Sequence, residues 1–112
     1  MDELTNSKAK KNKEANLLWK AYSLELAKRI KALRNKRNIS QEALSASTCL
    51  SRNVIARIEA YVNNPEGQAN VVNTNLHSLA LLAQALEVPL AELLPDDNLM
   101  PRLEDVRNIH YR

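Results

Sequence analysis

The residues of this chain best equipped for chemistry are Arg52, Asn53 and Arg57. A guanidinium can donate to guanine O6 and N7 together, a side-chain amide can pair with adenine, and either can hold a phosphate oxygen. Nothing else in the chain offers a reacting group in company. His77 and His110 are isolated, with no partner at metal-ligand spacing. There is no glycine-rich phosphate loop and no nucleophile with a base and an orienting group. We therefore expect no catalytic residue, no metal and no cofactor, in a chain that is not an enzyme.

Donors of this kind need a rigid support. Residues 41–60, QEALSASTCLSRNVIARIEA, read as two short helices, over 41–47 and 52–59, meeting across a tight break. Leu44 and Ser45 lie on the inner face of the first, Ile55 and Ile58 on that of the second. Leu50 falls in the turn, where it can plug the angle between them. Ser45 is small, as a close helix approach requires. Ser40 and Ser51 each precede a helical run and can accept from the unpaired N–H groups of its first turn. Arg52, Asn53, Ala56 and Arg57 are left for the outer face of the second helix. Gln41 and Ser51, at the adjoining helix starts, are suited to hold phosphates and set register.

The rest of the chain reads as scaffold and tails. Leu18, Tyr22, Leu26, Ile30 and Leu33 form one helical stripe, predicting a long helix from near Glu14 to about Arg37. The connection AYVNNPEGQANVVNT (60–74) is a loop marked by Asn63, Asn64, Pro65 and Gly67. Asn75 or Thr74 caps the next helix, whose buried side carries Leu76, Leu79, Leu82, Ala83 and Leu86. Leu99, Leu103, Val106 and Ile109 give weak periodicity, consistent with a short helix, a partner-binding strap or disorder. We divide the chain into a basic, disordered arm (1–13), one folded domain (14–94) and a C-terminal tail (95–112).

With 112 residues, 45% of them hydrophobic, the chain can build one small core. It holds no phenylalanine and four aromatic residues, so that core is aliphatic. One glycine and four prolines leave little for hairpins and argue for an all-α fold. The net charge of +3 is unevenly spread. Residues 1–37 hold eleven Lys/Arg against four Asp/Glu, residues 38–94 two against five, and residues 95–112 three against four. Lys8, Lys10, Lys11 and Lys13 belong either to a solubilising tail or to an arm that follows phosphates. A single cysteine fits a reducing cytosol, and the lack of an apolar leader or a membrane-length segment fits a cytoplasmic protein with no membrane partner.

From about Leu26 to Leu94 the chain resembles the phage-repressor helix-turn-helix group (XRE, or Cro and lambda-repressor-like). LAKRIKALRNKRNIS (26–40) is similar to that family's first helix and lead-in. Residues 41–47 and 52–59 are similar to its second and third helices, and LHSLALLAQALEVPLAELL (76–94) to its fourth and fifth. The resemblance implies a five-helix domain, here with an extended N-terminal helix. It also implies that Arg34 lies beside Glu59, tying the third helix to the first. The chain departs from the family twice. Cys49 stands at the turn position usually filled by glycine, and Tyr61 where a glycine often ends the third helix. A left-handed Cys49 costs on the order of 1 kcal/mol; otherwise the turn relaxes and re-angles the second helix. We expect Cys49 to be a small buried residue.

The resemblance implies a sequence-specific regulator of transcription on double-stranded DNA, more often a repressor. Arg52, Asn53 and Arg57 would contact bases in the major groove, and Gln41, Ser51, Asn63 and Asn64 would contact phosphates. A homodimer is expected, because one short helix reads too few base pairs for useful specificity. Leu18, Trp19 and Tyr22, upstream of the family core, are expected to be buried, against a second subunit or against the chain's own C-terminal segment. Two other readings use the same fold. One is an antitoxin whose N-terminal helix or C-terminal tail holds a protein partner; the other is a coactivator that bridges proteins.

Overall fold

One long helix carries the other elements. The computed structural model describes residues 3–67, 74–105 and 107, with side chains from Leu17 onward except Glu66. Helix α1 spans Glu3–Lys36, a run with neither proline nor glycine. The arm expected to be disordered over residues 1–13 is therefore helical from Glu3, and the helix does not wait for Glu14. Polarity told against a buried face there, but Ala, Lys and Glu are strong helix formers even where no face is buried. Leu26, Ala27 and Ile30 are buried, and Leu33 packs against them. The helix ends on Asn38 in the left-handed region, with the Ile39 N–H donating to the Arg34 carbonyl at 3.1 Å and the Asn38 N–H to Asn35 at 3.0 Å.

Helices α2 (Gln41–Thr48) and α3 (Arg52–Asn63) follow at once. The Ser40 hydroxyl accepts from the Ala43 N–H and the Ser51 hydroxyl from Val54, so both serines cap as expected. Helix α3 runs one turn past residue 59. The residue that replaces a terminating glycine, Tyr61, is buried in the core and prolongs the helix. Helix α4 (Leu76–Ala85) is capped by Asn75, whose Oδ1 accepts from Ser78 at 2.8 Å, and α5 (Leu90–Leu93) starts after Pro89. Leu44, Ile55, Ile58, Leu82, Leu86 and Leu93 close the core. Leu76 does not join them; it is 70% exposed, because at the first position of α4 it lies beyond the reach of the core. Arg29 on α1 donates to the carbonyls of Glu92 and Leu94, at 3.4 and 3.0 Å, and so holds the end of α5.

Among the described residues there is no strand, and the fold is the expected all-α arrangement of five helices with an extended first helix. The loop between α3 and α4 contains one 3-10 turn (Pro65–Gly67), and residues 68–73 lie outside the described ones. In the tail, Asp97–Leu99 forms a second 3-10 turn. Leu99 and Leu103 are exposed there, while Val106, Ile109 and His110 lie outside the described residues. Upstream, Leu17 and Leu18 are exposed, and Trp19 stacks edge-on against Tyr22 with both half-buried. The described residues do not bury this group.

Candidate nucleic-acid interface

The turn between α2 and α3 sets the angle at which α3 is presented. Cys49 keeps the left-handed conformation, at φ 61 and ψ 15, so the turn has not relaxed around it. Neighbouring side chains hold it there. The Ser45 hydroxyl donates to the Leu50 carbonyl. The Thr48 hydroxyl donates to the Leu44 carbonyl at 2.8 Å and accepts from the Leu50 N–H at 3.2 Å. A non-glycine residue with positive φ persists where its surroundings over-determine it. Cys49 is nonetheless exposed, contrary to expectation. The reversal of the chain turns Leu50, not Cys49, toward the core.

Arg34 and Glu59 lock α3 to α1. The guanidinium meets the carboxylate in a two-pronged contact, with Nε to Oε2 and Nη2 to Oε1 both 2.7 Å. Arg34 is 12% exposed and Glu59 1%. Two further hydrogen bonds support the pair: Arg34 Nη1 donates to the Ile39 carbonyl at 2.7 Å, and Gln41 Nε2 to Glu59 Oε1 at 3.3 Å. The hydrogen bonds to Glu59 outweigh burial and push the guanidinium above its ordinary value, so it stays charged. The first residues of α2, the end of α1 and the middle of α3 thus share one carboxylate.

On that support α3 presents Arg52, Asn53 and Arg57, all exposed. Asn53 and Arg57 are one turn apart on a single face. Arg57 forms no ion pair among the described residues. Arg52 does: its Nε lies 3.0 Å from Glu42 Oε1 of α2. The residues expected to hold phosphates are more mixed. Ser51 is exposed, and while its oxygen caps α3 its proton remains available to donate. Gln41 is half-buried with its amide turned to Glu59. Asn63 is the last residue of α3, not a loop residue, and its Oδ1 accepts from Lys31 Nζ of α1 at 2.9 Å. Asn64 caps α3, and its Oδ1 accepts from the Gly67 N–H at 3.1 Å. Arg52, Asn53, Ser51 and Arg57 therefore lie together at one end of α3, and Asn63, Asn64 and Lys31 at the other.

Residues 30–68 match a family described as helix-turn-helix. The match supports the resemblance of that segment to the phage-repressor type. It takes in the end of α1, all of α2 and α3, and the turn after them. No curated protein and no solved structure matches the chain. A helix-turn-helix of this kind supports DNA binding in a regulator. Two of its residues escaped sequence reasoning. Glu42 and Lys31 find their partners ten and thirty-two positions away, on other helices, and no local spacing signals either contact. No helix among the described residues is long and apolar enough to cross a membrane.

Proposed function

We propose that this protein is a transcriptional repressor that binds double-stranded DNA sequence-specifically, with α3 in the major groove. Arg52, Asn53 and Arg57 contact base edges, while Ser51, Gln41, Asn63 and Asn64 contact phosphates on either side. The observation that carries this reading is the exposed Arg52, Asn53 and Arg57 on a helix whose mount is a buried, two-pronged Arg34–Glu59 pair. Reading a base edge needs donors held in register, and that mount supplies it. The excess of Lys and Arg over residues 1–37 adds sequence-independent attraction to the backbone. The protein works as a homodimer on a two-fold symmetric site, in the cytoplasm, without a cofactor or a catalytic step.

Selection of bound sequences from a random duplex pool tests the reading. The expected product is a symmetric consensus that the protein prefers over random duplex by at least about a thousandfold at physiological salt. Absence of any preference overturns it. In that case the exposed Leu17, Leu18 and Leu103 favour a protein-holding role, as in an antitoxin or a bridging coactivator.

A further inference from the structure

The face assigned to base reading contains an acid that a phosphate-binding surface would exclude. Glu42 lies in the first turn of α2, and its Oε1 meets Arg52 Nε at 3.0 Å, with the two side chains 60% and 65% exposed. Beneath, Arg34 and Glu59 bind each other, and the Glu42 charge also favours the charged form of Arg34. Arg52 is the residue with which Glu42 makes its ion pair.

The geometry of the contact matters. A guanidinium spreads five N–H donors round its plane, and Glu42 lies as a counterion at the Nε edge. The Nη groups at the far end of the plane stay available to a fork of acceptors such as guanine O6 and N7. A free arginine on a surface samples many rotamers and loses them on docking; one already held by a neighbour loses fewer. The carboxylate also offsets the positive charge of Arg52 toward phosphates, so this arginine adds little to sequence-independent attraction.

We propose that Glu42 is a specificity-determining residue, which as a counterion at the Nε edge keeps Arg52 in a reading posture and masks its charge from the phosphate backbone. The inference rests on the reading of α3 as the groove-entering helix. Its test uses the full chain and the duplex site recovered from the random pool, with each base pair replaced in turn. Glu42→Ala is expected to relax selectivity roughly tenfold at one base pair, the same one relaxed by Arg52→Ala. It should relax nothing further there when Arg52 is already alanine. Glu42→Gln, which removes the charge that holds the guanidinium, should relax the same base pair and steepen the salt dependence by up to about 0.9 in log–log slope. A purely structural role for Glu42 would weaken every site alike and leave the base-pair profile unchanged. Equal loss at all positions, or full additivity in the double variant, overturns the proposal. So does unchanged selectivity in Glu42→Ala while the wild type still selects its site. A wild type with no preferred site defeats instead the reading on which the proposal stands.

Discussion

Two arginine–glutamate pairs anchor the same helix, and they differ in almost everything but chemistry. Arg34–Glu59 is buried, two-pronged and surrounded by further donors, while Arg52–Glu42 is a single contact in solvent. Taking two charges out of water costs several kcal/mol per ion, and only good geometry with extra hydrogen bonds offsets that cost. The inner pair has both, so removing one partner strands a buried charge. The outer pair is screened, contributes ~0–1 kcal/mol to stability at most, and leaves its arginine free to meet a ligand. The inner pair belongs to folding, and the outer pair is the one we assign to recognition.

The largest effect expected comes from breaking the inner pair. Glu59→Gln should cost about 3 kcal/mol of folding stability in a urea titration, because Arg34 keeps its charge and loses its counterion. A loss below about 0.5 kcal/mol would place the pair with the exposed ones and remove the contrast. Next comes the outer pair. Arg52→Ala should weaken the preferred DNA site by roughly 1–3 kcal/mol and change stability by under ~0.5 kcal/mol. Arg57→Ala should behave likewise at a different base pair. Equal losses on preferred and random DNA would make the helix a charge patch and not a reader.

Smaller effects sharpen the comparison by probing the turn and the core between the pairs. Cys49→Gly should raise the urea midpoint by the equivalent of up to about 1 kcal/mol, since glycine takes positive φ without strain. The left-handed Glu87 after α4 offers a control away from the turn between α2 and α3, although Glu87→Gly also removes its exposed contact with Arg37. Tyr61→Phe should change stability at neutral pH by no more than about 1 kcal/mol, because the buried hydroxyl has no hydrogen-bond partner among the described residues. Its pH dependence is more telling. Burial raises the phenol above its ordinary value of 10.0, so the folded state holds the proton more tightly than the unfolded chain. Stability is then complete below that ordinary value and falls as pH rises toward the folded one. Unfolding measured at stepped alkaline pH should show this fall in the wild type and a smaller one in Tyr61→Phe.

Much of the molecule was legible in the residues alone because its determinants are local. The apolar stripe of α1, the capping serines and Asn75 act over three or four positions, and so does the spacing that puts Ile55 and Ile58 inside and Arg57 outside. The same locality explains the errors. Polarity over residues 3–13 suggested disorder, where helix propensity prevailed. The loop expected from residue 60 starts later, because Tyr61, standing where a glycine often ends the helix, carries α3 on with its ring in the core. The Arg34–Glu59 pair was anticipated through family resemblance, not through spacing. The state of Cys49 was open in the sequence, since a strained residue survives only if its surroundings hold it, and Ser45 and Thr48 do so. Only the tertiary structure decided that Glu42 meets Arg52, that Lys31 meets Asn63 and that Gln41 turns inward. Those contacts join helices whose relative placement is set by burial of the whole core. A sequence read in windows of a few residues carries helix faces and caps, but not the distance between two side chains on different helices.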